Sequence, residues 1–239
     1  MGTPPDPTTT GGAGGTTSSP GTNAKVSDDF ESGTVGQAPD AALWTLKVNE
    51  SSSIAVTSEQ KHGGSQAVKV MGASGSTMMF NKSIFPLPDG VVYFRTWMRF
   101  DSADWMNHVG FVAASPGEES QEVRFGGQQN AYNANLAADG DGVTPNPWAS
   151  PECTMCLTPV PNEWACVRGK LDFTNNALQL YVGDTLAVDA DAPEDWHAGT
   201  GKLQQGTTQL GFGWAVYGGT SNTVYYDDIA IGYEPIGCE

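Results

Sequence analysis

Positive charge is scarce in this chain: 11 Lys and Arg stand against 27 Asp and Glu in 239 residues, a formal net charge of −16. No Lys/Arg-rich stretch occurs, and an acidic chain repels phosphate backbones, so nucleic acid is excluded as an expected partner. Long apolar runs are also missing. Nothing approaches the roughly 18 consecutive apolar residues that a membrane-spanning helix needs. No segment keeps a helical apolar period over three turns. Charged residues make up only 16%, below the roughly 25% of an average domain. What the chain does have is 30 Gly, 15 Pro and 10% aromatic residues, too many aromatics for a chain disordered throughout. The class that fits is an acidic, extracellular globular protein acting as a monomer.

Residues 1–25 are nearly all Gly, Thr, Pro, Ser and Ala, with no aromatic and no periodicity. That composition predicts a flexible linker able to tether the domain to a surface. Met1 and Gly2 are followed by neither a secretion leader nor a myristoylation signal, and the chain is expected to derive from a longer secreted precursor. Residues 26–239 fit one domain, and there the period is two. In Val91–Phe100, Val92, Phe94, Met98 and Phe100 fall on one face and Tyr93, Arg95, Trp97 and Arg99 on the other. Similar runs cover 53–57, 66–71, 107–113, 121–125, 164–173, 177–182, 209–216 and 223–231, separated by turn chemistry such as Pro88-Asp89-Gly90. About ten strands in one domain predict an all-β fold, a two-sheet sandwich of jelly-roll type. Residues 138–161 read as a long, Pro-rich loop, with Asp-Gly turns at 139–142.

Four cysteines occur: Cys153, Cys156, Cys166 and Cys238. Cys-x-x-Cys plus two thiols allows a zinc site, but no second close pair is present, and the βαβ context of a thioredoxin-like redox motif is absent. Two structural disulfides fit an extracellular chain best. Cys166, early in a strand, and Cys238, just after the last one, would staple the C-terminus. Cys153–Cys156 would then close a small ring in the long loop.

The carboxylates of Glu31 and Asp227, on the first and last strands, can meet if those strands are neighbours, and His62-Gly63-Gly64-Ser65-Gln66 reads as a tight turn exposing carbonyl oxygens. Hard oxygens of this kind suit Ca2+; the other reading is two surface carboxylates. His62 reads as a turn residue. His108 lies opposite in parity to Val109, Phe111 and Ala113, so it points away from the apolar face. Arg124 and Gln128 share one parity, with Gly126 between them leaving room for a sugar ring. Arg95, Trp97 and Arg99 share a face suited to sugar stacking.

Six segments appear together in order: Asp28–Gly33, Val92–Arg99, Asn107–Val109, Arg124–Gln128, Phe212–Gly219 and Asn222–Ile229. With them, residues 26–238 resemble the cellulose-induced secreted proteins of wood-degrading fungi and bacteria, which are similar in fold to glucuronan and alginate lyases. The resemblance implies a β-jelly roll with structural Ca2+ held at Glu31, Gly63, Gln66 and Asp227. It also implies a terminal disulfide at Cys166–Cys238; the Cys153–Cys156 pair departs from the family pattern. A lyase-like cleft would be formed by His108, Arg124, Gln128 and Tyr217, with Tyr132, Asn133 and Trp214 as wall residues. Glu122 and Ala215 stand where the fungal member has His and Glu. A carboxylate at 122 would repel a polyuronate or raise a neighbouring histidine.

β-Elimination on a uronate polymer requires a neutralised carboxylate, a base for the adjacent C–H and an acid for the departing oxygen. Arg, Asn or Gln supply the first; His and Tyr supply the others. The expected function is therefore a secreted polysaccharide lyase for cell-wall uronates. The alternative is a calcium-containing carbohydrate-binding module that keeps the cleft without turnover.

Overall fold

The computed structural model describes residues 23–117, 121–137, 141–142, 156–195, 203, 206–218 and 221–239. The expected linker falls almost wholly outside this set, as do Cys153 and most of the long loop. The described residues form fifteen strands: β1 (Ala24–Asp28), β2 (Thr45–Lys47), β3 (Ser53–Thr57), β4 (Ala67–Gly72), β5 (Gly75–Asn81), β6 (Val91–Phe100), β7 (His108–Ser115), β8 (Val123–Gln128), β9 (Ala131–Leu136), β10 (Asp141–Gly142), β11 (Ala165–Asp172), β12 (Ala177–Val182), β13 (Thr185–Ala190), β14 (Gln209–Tyr217) and β15 (Asn222–Gly232). Asp141–Gly142, expected as a turn, is paired as β10.

Two antiparallel sheets result. The eight-stranded sheet runs β13-β12-β11-β6-β15-β4-β3, with β1 also pairing β15. The seven-stranded sheet runs β10-β9-β8-β7-β14-β5-β2. They stack as a jelly-roll sandwich because the central strands turn mostly apolar side chains inward. Val92, Phe94, Met98 and Phe100 of β6 face Val109, Phe111, Phe125 and Phe212 of the other sheet, all buried. Each such side chain contributes about 1.5–3 kcal/mol on leaving water. Phe94 meets Phe212 edge-on at 5.8 Å, and Phe100 meets Trp105 likewise at 4.7 Å, orientations that aromatic quadrupoles favour.

The alternation breaks at one place that matters for the site. The pairing of β7 with β8 shifts between Gly110 and Val112, and that of β14 with β7 shifts between Phe212 and Ala215. After the shift Ala113 leaves the core and packs beside Met78, Phe80 and Ala215 on the outer face of the sheet, where strict alternation from Val109 and Phe111 had placed it inside. Tyr226 of β15 crosses the core to these irregular strands. Its hydroxyl lies 2.9 Å from the Phe111 carbonyl and accepts from Gly213 N–H at 3.1 Å. Backbone groups freed by the shift thus keep partners, as buried polar groups must. Cys166 and Cys238 are bonded to each other. Cys156 is also disulfide-bonded, and its expected partner, Cys153, lies outside the described residues.

Candidate active site

The outer face of the seven-stranded sheet gathers the polar residues of β7, β8, β9 and β14. Pairing sets Tyr217 directly opposite His108, with ring centroids 5.3 Å apart. Arg124 reaches over the same tyrosine, its Cζ 4.1 Å from the ring centre. In the β8–β9 pairing Arg124 faces Asn135 and Gly126 faces Asn133. Gln128 ends β8 on the same parity. His108, Arg124, Gln128, Asn133 and Tyr217 therefore share one surface. Gly126 cannot carry a side chain, since a Cβ there would run into the Val109 carbonyl. The strands approach closely at the bulge, so the β7 backbone takes the room that the sequence led us to expect above Gly126 for a sugar ring.

Arg124 donates through Nε to Glu122 Oε2 at 2.9 Å, both side chains being buried. The expected repulsion by Glu122 is therefore absorbed by its neighbour two residues along the same parity. His108 moves opposite to the expectation: burial first, and the positive Arg124 second, push its pKa down to about 4, while the neighbouring Asn135 amide works the other way. The imidazole is neutral at neutral pH. Asn135 was missed by sequence reading, although alternation in Ala131–Leu136 puts Asn133 and Asn135 on one face. The Asn133 Nδ2 donor is buried without a partner among the described residues.

Five expected substrate contacts lie elsewhere. Tyr132 and Trp214 are in the core between the sheets, Trp214 only 1% exposed, and both pack edge-on or tilted against Trp105. Neither offers a ring to the cleft. Arg95, Trp97 and Arg99 do share a face, but on the eight-stranded sheet, across the sandwich from His108. His62 covers the Trp97 ring at 3.6 Å, nearly parallel. Arg99 binds Asp101 at 2.5 Å and Asn162 at 2.8 Å.

The residues expected to hold calcium converge near the start of β4. Glu31, which lies in the turn after β1 rather than in the strand, accepts Ser65 N–H and Gln66 N–H at Oε1, both at 2.8 Å. Asp227 Oδ2 accepts His62 N–H at 2.8 Å and Gly63 N–H at 3.1 Å. Gly64 has φ +51°, and a Cβ there would strike the Glu31 carboxylate, so only glycine fits. Asp228 stands beside Asp227 and bonds His62 Nδ1 at 3.1 Å, so His62 does more than form a turn. Burial, and then Asp228, push the Asp227 pKa up to about 7. Gln66 Oε1 is a buried acceptor with no partner among the described residues. Oxygen donors, clustered negative charge and an orphaned carbonyl oxygen suit a hard cation. No group of three His, Cys, Asp or Glu side chains converges as a metal cluster among the described residues, so amide and backbone oxygens would complete such a site.

The family model described as the Cip1-like core domain, within the polysaccharide-lyase-like group, matches residues 29–234. The chain belongs to the Cip1-like family. The solved structure of the cellulose-induced protein Cip1 is 27% identical, covers 90% of this chain and 100% of its own, and superposes with a TM-score of 0.73. An endo-β-1,4-glucuronan lyase from Trichoderma reesei is 12% identical over 88% of this chain and 96% of its own, with a TM-score of 0.57. Domain 4 of an extracellular arabinanase from Geobacillus stearothermophilus, solved with arabinotriose, is 9% identical over 90% and 94%, with a TM-score of 0.55. These last two share the fold. Among curated proteins none matches the chain. The Cip1-like match spans every strand from β2 to β15, and so the whole His108–Arg124–Tyr217 face.

Proposed function

We propose that this Cip1-like protein is a secreted, monomeric polysaccharide lyase that cleaves a uronate-containing cell-wall polymer by β-elimination. The supporting observation is the contact of His108, Tyr217 and Arg124 on one sheet face, with an imidazole that burial keeps neutral. Arg124 and Gln128 hold the uronate carboxylate, so that negative charge can build on the adjacent carbon. His108, unprotonated, accepts that carbon's proton. The electron pair forms the ring double bond as the glycosidic C–O bond breaks, and Tyr217 O–H protonates the departing oxygen. A calcium ion at Glu31, Gly63, Gln66 and Asp227 ties the turn after β1 to β15; its role is structural and it takes no part in the elimination.

The test is release of unsaturated uronate, read by its ultraviolet absorbance, from glucuronan, alginate and pectate. Loss of a general acid costs about 10²–10⁴-fold in rate, so Tyr217→Phe should abolish most turnover with the melting temperature unchanged. No product from any of these polymers would overturn the reading. The Arg124–Glu122 pair favours a second reading, a carbohydrate-binding module. It leaves the cleft nearly neutral in a chain of charge −16, and such a surface would hold a glycan without product.

A further inference from the structure

We infer that the outer face of the eight-stranded sheet carries a second glycan site, a groove that takes a carboxylate-bearing sugar. The pairing of β6, β11 and β12 sets two adjacent rows of side chains on that face. Lys170 stands between Tyr93 and Gln179, and Arg168 between Arg95 and Tyr181. Ile236, from the C-terminal segment that the Cys166–Cys238 bond pins beside β11, closes one side. The resulting groove has a volume of about 330 Å³, within the range of small-molecule sites, roughly 300–1,000 Å³.

The chemistry of the two rows is unusual for this chain. Only 11 of its residues are basic against 27 acidic, yet Arg95, Arg168 and Lys170 are immediate neighbours here. Arg95 and Arg168 are direct cross-strand partners, and like charges set opposite each other weaken an antiparallel pair. Neither arginine is satisfied by the sheet. Arg168 gives Nη2 to the Gly183 carbonyl at 2.8 Å and reaches Asp184, an exposed carboxylate, only at 3.5 Å. Its Nε is buried with no partner among the described residues, as are Nε and Nη1 of Arg95. Arg95 itself lines a separate pocket with Asp228, leaving Arg168 and Lys170 to line the groove, with Lys170 also held by Asp172 at 3.1 Å. The Arg168 guanidinium lies 5.4 Å from the centre of the Tyr181 ring. Half-buried Tyr93 and Tyr181 supply flat apolar faces for a pyranose, and Gln179, whose Nε2 donates to Asp189 at 3.1 Å, offers its amide oxygen to the sugar hydroxyls. Cations, aromatic rings and an amide on one rigid sheet match an acidic sugar better than a neutral one.

This inference rests on the polysaccharide reading only for its probe. The full chain carrying His108→Ala, which stops turnover, is titrated calorimetrically with a glucuronan hexamer and with cellohexaose. Tyr181→Ala, Lys170→Gln and Arg168→Gln in that background should each weaken the acidic hexamer by about fivefold to tenfold. Lys170→Gln gives up the ion pair with buried Asp172, so half-buried Tyr181→Ala, which breaks no ion pair, guards against loss of folding; melting temperatures of all variants are compared. Unchanged affinity for the glucuronan hexamer in folded variants would overturn the proposal. So would cellohexaose binding as tightly, with the same sensitivity. A protein that releases no unsaturated product but shows the predicted losses would sink the elimination reading and leave this one standing.

Discussion

Lowering the pH should destabilise this protein in a window set by His108. In the unfolded chain a histidine titrates near 6.5; in the fold, burial and Arg124 hold His108 at about 4. Between those values the unfolded state binds more protons than the native state, so stability rises with pH there and is lost as pH falls from about 6.5 to about 4. The full shift corresponds to about 3.4 kcal/mol at 1.36 kcal/mol per unit. His108 is only half-buried, and solvent screening reduces the expected effect to about 1–2 kcal/mol. Arg124 and Tyr217 face the imidazole from β8 and β14, and Glu122 is tied to Arg124. Carboxylates titrating in the same window act equally on a variant, so the informative quantity is a difference. Urea unfolding of wild type and His108→Gln at pH 7 and pH 4.5 should show the variant losing about 1–2 kcal/mol less on acidification. A proton-resolved NMR titration gives the pKa directly. A His108 midpoint near 6.5, or identical pH dependence in the two proteins, would refute the argument and remove the neutral base.

Three further outcomes follow from the geometry. Arg124→Ala should cost about 3–5 kcal/mol, because Glu122 keeps its charge in a buried place without the cation; the double variant Glu122→Gln, Arg124→Gln should regain most of it in denaturant titrations. Calcium should raise the melting temperature with the logarithm of free ion and chelator should lower it, whereas Glu31→Gln should blunt both responses; midpoints indifferent to the ion would dismiss the site. The Cys166–Cys238 bond closes a separation of 72 residues, worth about 4 kcal/mol in the loop-entropy picture, so Cys166→Ser with Cys238→Ser should lower the urea midpoint accordingly.

How far the sequence could be read depended on what alternation records. In β6 it assigned the apolar face correctly, because Val91–Phe100 is regular and its inward parity is apolar but for Thr96. The same parity rule says which face of a strand a residue occupies, not which sheet the strand joins. Arg95, Trp97 and Arg99 were therefore legible as neighbours, while their separation from His108 was not. β5, Gly75–Asn81, was missed because it is buried on both faces and does not alternate. Ala113 was misplaced by a one-residue shift that no local pattern announces. Trp214, in the irregular stretch of β14, was likewise placed at the cleft. The Glu122–Arg124 contact follows from two-residue spacing, but its effect on His108 needed the third strand. The stacking of His62 on Trp97 joins a turn to a strand far along the chain and has no local signal.

β15 comes last in chain order among the described strands, and it is the one on which β1, β4 and β6 all pair. Until the ribosome has released residues 222–232, β4 and β6 each hold an open row of N–H and C=O groups, the kind of edge on which chains aggregate. Assembly of this sheet thus waits for the last of its own strands, and is dominated by contacts distant in sequence and slow for that reason. A stop codon just before Asn222 would not trim a margin of the protein. It would remove the strand at the centre and leave two half-sheets with nothing to join them.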